Sequence, residues 1–149
     1  MRIRKLTEHD LPALVRLCAD HAQYEKTTYS GQSKLADLRK HFFSSKPSAH
    51  CLVVEDTANQ LVGYATFMKQ FSTWEAEFYL YLDCLYLDSA VRGMGLGRQL
   101  IEHICQFASR HGCSRLQWQT PSFNERAVLF YQGIGASYTN KKRFFLDIE

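Results

Sequence analysis

The sequence lacks the patterns that mark metal centres, disulfide scaffolds and membrane spans. Its five cysteines include no Cys-x-x-Cys pair, and its six histidines form neither His-Glu-x-x-His nor a zinc-finger spacing. We therefore expect no bound metal and place most histidines at the surface or in helix caps. An odd number of cysteines leaves one unpaired in any disulfide scheme, which favours a reducing, cytoplasmic location. No apolar leader and no run of about 18 apolar residues is present, which predicts a soluble, unprocessed protein without a membrane partner.

Size and charge limit the chain to a simple organisation. With 149 residues and 46% hydrophobic content, we expect one domain spanning residues 1–149 and one functional site. The net charge is only +3, and basic residues cluster only at Lys141-Lys142-Arg143, which is more simply a solvated hairpin edge. The sequence thus predicts no nucleic-acid partner.

Hydrophobic periodicity and composition predict a mixed α/β (α+β) fold with a mostly antiparallel sheet. Apolar residues recur with helical spacing in about four segments, and alternation or runs rich in Val, Leu, Tyr and Phe mark about seven strands. The strands that precede the glycine-rich loop are predicted to form an antiparallel meander. A strand, a glycine-rich loop, a helix and a further strand follow one another, which makes strands 77–87 and 115–120 parallel neighbours. The predicted helices are 11–22, 34–43, one from the glycine loop to Gly112, and 124–132; the strands are 2–6, 50–55, 61–71, 77–87, 115–120, 136–139 and 142–148.

The third long strand contains a phase slip. Apolar residues fall at positions 78, 80 and 82 and then resume at 85 and 87, so one residue is extra. Such a slip predicts a β-bulge near Asp83-Cys84-Leu85, a feature that frees backbone groups beside active sites. A strand buried on both faces would also explain the pattern.

The glycine-rich stretch from Val91 to Arg98 joins that strand to an amphipathic helix. Gly93, Gly95 and Gly97 allow backbone amides to approach a ligand, and the helix directs its positive end to the same place. A phosphate site is one reading, and a tight turn with a helix start is the other. The late position of the loop excludes a Rossmann unit, and the absence of Gly-Lys-Ser/Thr excludes a P-loop.

Two motifs carry a resemblance to a known family. Arg92-Gly-Met-Gly95-Leu-Gly97 resembles the acetyl-CoA signature R/Q-x-x-G-x-G/A of the GNAT N-acetyltransferases. Asn124-Glu-Arg-Ala127-Val-Leu-Phe-Tyr131, with Gly133 and Gly135 following, is similar to the second motif of that superfamily. Tyr24-Glu25-Lys26 and Tyr81-Leu82-Asp83 look most like segments of the spermidine/spermine and thialysine enzymes. The family resemblance implies a homodimer. It also implies that the two parallel strands are central in the sheet and splay apart at the bulge.

The resemblance implies that acetyl-CoA is the co-substrate and that its acetyl group passes directly to a primary amine. The acceptor would be a polyamine, a diamine or an amino-acid-like amine. Asn124, Ala127 and Tyr131 would border the cofactor. Backbone groups of the bulged strand would hold the pantetheine arm and the loop would hold the pyrophosphate; these residues are Leu85, Tyr86, Leu87, Arg92, Gly93, Met94, Gly95, Leu96, Gly97 and Arg98.

Two proton transfers accompany such a reaction. The resemblance assigns Tyr131 as general acid to the CoA thiolate, because a phenol pKa of about 10 lies above the roughly 8.5 of a thiol. Without the motif, Tyr131 is more simply a core residue that packs on the inward face of its helix. Asp83 is too acidic to deprotonate an ammonium directly, so we expect an orienting role or an ordinary polar residue at a bulge. Cys84 stands where the closest enzymes are commonly acidic, and we expect it to be a small buried hydrophobe.

Acidic and aromatic residues are candidates for binding a cationic acceptor, by ion pairing and cation–π contact. A protein lysine side chain is a second acceptor class. A catalytically silent acyl-CoA-binding module is a third possibility, against which the complete glycine loop and Tyr131 argue. The acceptor candidates are Glu25, Trp74, Glu75, Tyr81 and Asp83.

Overall fold

The structure, a computed structural model, describes residues 1–149 except for the side chain of Gln32. The chain divides into two compact units, Met1–Gln119 and Thr120–Glu149, and each is described by itself. The first unit contains the sheet and three α-helices, and the second contains one α-helix and the C-terminal segment. No helix among the described residues is long and apolar enough to span a membrane.

The sheet of the first unit has five strands in the order β1-β2-β3-β4-β5. Neighbouring strands run antiparallel from β1 to β4, whereas β4 and β5 run parallel. The predicted antiparallel meander and the predicted parallel pair are therefore confirmed. The strands are β1 (Arg2–Lys5), β2 (His50–Glu55), β3 (Leu61–Ser72), β4 (Glu77–Leu87) and β5 (Leu116–Trp118).

Four α-helices form, as predicted: α1 (Leu11–Tyr24), α2 (Leu35–Phe43), α3 (Leu96–Arg110) and α4 (Glu125–Gly133). Pro12 lies in the first turn of α1, where its missing amide hydrogen costs no hydrogen bond. Just upstream, the backbone amide of Thr7 donates to Asp10 Oδ2 at 2.7 Å, which fixes the entry of the chain into the helix. Gly112 follows the end of α3 with a φ of 70°.

The core lies on both faces of the sheet. On one face, Leu14 and Leu17 of α1 pack with the Tyr64 ring of β3, and all three are at most 1% exposed. On the other face, Phe67 meets Phe107 of α3 edge to face, with ring centroids 5.1 Å apart. Because successive strand residues point to opposite faces, β3 supplies both layers.

The predicted sheet of seven strands is wrong, because residues 136–149 contain no strand. Phe144, Leu146 and Ile148 are 88–93% exposed, so the apolar alternation there does not reflect burial. A strand needs a backbone ladder with a neighbour, which alternation alone does not supply. Because the sheet has five strands, the parallel pair β4–β5 lies at one end of the strand order. The prediction of a central parallel pair is therefore wrong.

Candidate functional site

The bulge predicted in β4 is confirmed, and Asp83 is the extra residue. Thr66 of β3 pairs with Cys84, and the next residue, Phe67, pairs with Leu82. Asp83 therefore has no partner in the ladder, and its side chain is exposed. The extra residue interrupts the pairing at one point. The apolar residues before and after it still point to the same face of the sheet.

The parallel pair separates at the same point. The β4–β5 ladder runs from Leu80 to Leu82 and stops immediately before Asp83. Beyond the bulge, the amide of Asp88 donates to the Val62 carbonyl at 2.8 Å, so by alternation the backbone groups of Leu85 and Leu87 face away from β3. Among the described residues, no strand pairs with them on that side. A row of backbone groups, made of the outward amides of Leu85 and Leu87 and the Leu85 carbonyl, is thus available to an extended ligand. The Leu87 carbonyl already accepts a bond from Arg92.

Tyr86 has a different position from that row. Its backbone pairs with Tyr64 of β3, and its ring is 9% exposed within the cluster that packs against α1. The Tyr86 ring contacts the rings of His21 and Tyr24. The predicted contact of Tyr86 with the cofactor stays a prediction.

The glycine loop follows a short 3₁₀ turn, Ser89–Val91, and leads directly into α3. Gly93 and Gly95 have φ angles of 81° and 79°, a region that costs other residues backbone strain. A Cβ placed on either would meet no atom within 4 Å, so the surface above the loop is open. Gly97 is buried in the first turn, while Met94 and Arg98 are exposed. The first amides of α3 have no partner within the helix and lie beside this surface, an arrangement suited to an anion.

Arg92 is engaged with the protein and does not extend over the glycines. Its Nε donates to the Leu87 carbonyl at 2.8 Å. Its guanidinium lies 4.5 Å from the Tyr24 ring centroid and 5.4 Å from that of Tyr86. These contacts join the glycine loop to the end of β4 and the end of α1 through one planar cation.

A largely buried histidine that the sequence did not single out lies in the last turn of α1, on the side that packs against the sheet. His21 Nδ1 is 2.8 Å from the Tyr64 hydroxyl, and Nε2 is 3.2 Å from Glu25 Oε1. The ring stacks on Tyr86, with centroids 5.2 Å apart and planes at 23°. Burial lowers the pKa of His21. The expectation of a surface or cap histidine is wrong here, and the spacing of four between His21 and Glu25 on one helix side was the available signal.

The thiols at this face are not nucleophiles. Burial raises the pKa of Cys84 to about 12 and also raises that of Cys18. The Cys84 thiol points its hydrogen to Asp83 Oδ2 across 3.8 Å. Both thiols are therefore protonated at neutral pH, in agreement with the expectation that Cys84 acts as a small buried side chain.

The structure brings together only some of the acceptor candidates. Glu25 and Asp83 both act electrostatically on His21, one from the end of α1 and the other from the bulge. Tyr81 lies two residues before the bulge, where its hydroxyl accepts a bond from Gln119 Nε2 at 3.0 Å.

Trp74 and Glu75 lie at the turn between β3 and β4, far from the bulge along the strand. Glu77, which begins β4, is six residues from Asp83. At about 3.3 Å per residue, this separation is roughly 20 Å. Trp74 is 96% exposed at that turn. The grouping of these two residues with Glu25 and Asp83 is therefore wrong within one copy of the chain.

The second unit contains the remaining motif residues. Asn124 caps α4, because its Oδ1 accepts a bond from the Ala127 amide at 3.2 Å. Tyr131 lies in the last turns of α4, and its carbonyl accepts a bond from the Ala136 amide at 3.0 Å. Its ring is tilted against that of Phe130, with centroids 5.2 Å apart. The motif thus builds a capped helix that carries Tyr131 near its C-terminal end.

Comparison with known proteins gives the family of the chain. The acetyltransferase (GNAT) family model matches residues 13–136. The chain belongs to this family. It is accordingly an N-acetyltransferase, and members of the GNAT family use acetyl-CoA.

Individual relatives support the same assignment. Thialysine N-ε-acetyltransferase of Bos taurus is 33% identical over 90% of this chain and 82% of its own length. A peptidyl-lysine N-acetyltransferase of Escherichia coli is 30% identical over 74% of this chain and 63% of its own length. Among solved structures, an integron cassette protein from the mobile metagenome of V. cholerae is 27% identical, with a TM-score of 0.79 over 99% of this chain and 92% of that chain.

Proposed function

We propose that this GNAT enzyme transfers an acetyl group from acetyl-CoA directly to a primary amine of a small molecule. The observation that carries the proposal is the open row of backbone groups after the bulge, which runs along Leu85 and Leu87 toward the glycine loop and the N-terminus of α3. The relative from Bos taurus is named for thialysine, a small amine, which favours an acceptor of this class.

The residues present suit the binding of acetyl-CoA, which supplies the activated thioester. Amides of the glycine loop and of the first turn of α3 would bind the pyrophosphate. The outward amides of Leu85 and Leu87 would pair with the pantetheine arm, and one of them would polarise the thioester carbonyl as it becomes an oxyanion. Arg92 would act through the Leu87 carbonyl, by holding the end of β4 in place, and not through its charge on a phosphate.

Tyr131 and Asp83 have the proton-handling roles in this proposal. Tyr131 would donate its phenolic proton to the departing CoA thiolate, because a phenol, with an ordinary pKa of about 10, is protonated at neutral pH and so has a proton to give. The second family motif supports this role. Asp83, exposed at the bulge, would orient the incoming ammonium through its carboxylate while a water carries the proton away.

A protein lysine acceptor is the second candidate, favoured by the similarity to a peptidyl-lysine N-acetyltransferase. The ammonium of a lysine side chain and that of a small amine have the same charge, so Asp83 and Glu25 suit both. The two classes differ in the bulk that follows the amine.

The test measures thiol release from acetyl-CoA against polyamines, diamines, amino acids including thialysine, and a lysine-containing peptide. Tyr131→Phe is expected to lower kcat by about 10²-fold or more, the usual contribution of general acid catalysis, and to remove one limb of the pH profile. Tyr138→Phe, an exposed tyrosine of the same unit, is the matched control. Full activity of Tyr131→Phe would contradict the general-acid role, preference for the peptide would favour the second candidate, and no thiol release with any acceptor would indicate a silent acyl-CoA-binding module.

A further inference from the structure

Glu25, His21 and Tyr64 form a connected group on the α1 face of the sheet. The two bonds of His21 use both ring nitrogens, at 2.8 Å to the Tyr64 hydroxyl and 3.2 Å to Glu25. The side chain of His21 is 13% exposed, whereas that of Glu25 is 33% exposed. The group therefore begins in the core and ends at a carboxylate that solvent and ligands reach.

Burial lowers the pKa of His21, which favours the neutral ring, and the two partners then specify which ring nitrogen carries the proton. A carboxylate only accepts hydrogen bonds, so Nε2 of the ring must carry the proton that reaches Glu25. The Tyr64 hydroxyl, which is fully buried and has a raised pKa, keeps its own proton and donates it to the lone pair of Nδ1. One neutral tautomer satisfies both contacts, and Tyr86 holds the ring plane by stacking.

A neutral imidazole has a specific consequence for Glu25. The N–H of His21 fixes the direction of the carboxylate while leaving its negative charge intact, which a lysine or arginine at this position would not do. Glu25 therefore remains an oriented anion at the end of α1. Asp83 provides a second carboxylate on the same side, from the bulge.

We propose that His21 is a positioning residue that orients the Glu25 carboxylate to bind the charged amine acceptor, and that it does so only as a neutral imidazole. This inference rests on the proposed function, because it assumes that the acceptor arrives as a cation.

A change of pH tests the role of the neutral ring. Below the pKa of His21, the imidazolium pairs with Glu25 and cancels the charge that the acceptor needs, so the KM for the amine rises on the acid side. The acceptor itself stays charged throughout this range, because its pKa is near 10. Several other titratable or charged groups surround His21. They are Glu25 at the C-terminal end of α1, Tyr64 of β3 with its thiol neighbours Cys18 and Cys84, Asp83 and Tyr86 of β4, and Arg92 of the glycine loop.

Two substitutions separate the two contacts of the ring. In His21→Gln, the longer side chain places an N–H donor near the position of Nε2 and keeps the bond to Glu25. In His21→Asn, the shorter amide corresponds to Nδ1 and reaches only Tyr64. Neither side chain titrates, so neither variant acquires an ionic partner for Glu25 at low pH.

The experiment measures kcat and both KM values from pH 5.5 to 8.5 for the wild type, both variants and Glu25→Gln. We expect His21→Asn and Glu25→Gln to raise the amine KM about 10-fold at pH 7.5, the loss of one charge-assisted interaction, with the acetyl-CoA KM unchanged. His21→Gln should stay near the wild-type KM at pH 7.5 and lose the rise on the acid side. Thermal unfolding of each variant tests that it is folded.

Three results would overturn the positioning role: an amine KM in His21→Asn equal to that of the wild type, an acid rise that persists in His21→Gln, or equal increases in both KM values. Failure of the proposed function has a different signature, because the wild type itself would then release no thiol with any amine. If His21→Asn does not fold, the pH profile of His21→Gln and the KM of Glu25→Gln still decide the question.

Discussion

Replacing Gly95 with alanine tests whether the conformation of the glycine loop is needed to bind the cofactor. Gly95 caps α3 with a φ of 79°, and an added Cβ would meet no atom within 4 Å. The substitution therefore introduces no clash, and its cost is the strain of a left-handed alanine, about 1–2 kcal/mol. The loop can relieve that strain only by rotating toward negative φ, which turns the amides at the start of α3 away from their common direction.

The effect on binding follows from the bonds that are lost. One hydrogen bond to a charged phosphate contributes about 1.5–3 kcal/mol, so we expect the Kd for CoA to rise about 10- to 100-fold. Isothermal titration with CoA measures this directly and does not depend on the acceptor. Chemical denaturation measures the accompanying loss of stability.

Gly112 provides a matched control at the opposite end of α3. It has a φ of 70°, and an added Cβ there also meets nothing within 4 Å. Gly112→Ala should lose a similar 1–2 kcal/mol, again about the cost of a left-handed alanine, and bind CoA like the wild type. If Gly95→Ala binds CoA normally, or if both variants weaken CoA binding equally, the loop is only a turn and the phosphate role is wrong.

Two further predictions concern charged groups of the first unit. Arg4 lowers the pKa of Asp10 to about 2, so the stabilisation from this pair is complete above the unfolded pKa near 3.9 and is lost as pH falls through about 2. Urea denaturation should therefore give Asp10→Asn a free energy of unfolding about 1 kcal/mol lower than that of the wild type at pH 7, and this difference should narrow below pH 4. A difference in unfolding free energy that stays constant from pH 7 to below pH 4 would contradict this. Arg92→Lys keeps the charge but loses the Nε bond to Leu87 and the planar contact with Tyr24, so the KM for acetyl-CoA should rise about 5- to 10-fold; an unchanged KM would mean that charge alone matters.

The sequence predicted most elements of the first unit because their signals are local. Runs rich in Val, Leu, Tyr and Phe located β2 and β3, and helical spacing located α1 and α3. Alternation located β4, and its phase slip between Leu82 and Leu85 located the bulge. The parallel partnership of β4 and β5 followed from the order of elements, since a crossover helix connects parallel strands. The expected single domain, homodimer and cytoplasmic location stay predictions.

The features that were missed depend on residues distant in the sequence. His21 is largely buried because it packs on the face of the sheet, where its ring contacts Tyr64, which is 43 residues away in the sequence. Arg92 turns toward Tyr24, and no motif encodes that contact. Trp74 and Glu75 have the aromatic and acidic character that a cation site needs, but strand geometry places them at a turn remote from the bulge. The prediction of two C-terminal strands is wrong, because alternation of apolar side chains indicates a tendency to form a strand but does not show that a neighbouring strand is present to pair with it.

The position of Asp83 implies that the fold and the site depend on different residues of β4. Without Asp83, Leu82 would be followed directly by Cys84, and the strand would alternate regularly from end to end. Each residue would keep its present face and its present partner on β3. A chain shortened by this one residue would thus retain its core, and its ladder with β5 could continue past Leu82. Asp83 is therefore not needed for the packing of the core. The end of the β4–β5 ladder depends on this single residue, which evolution can add or remove without changing the interior.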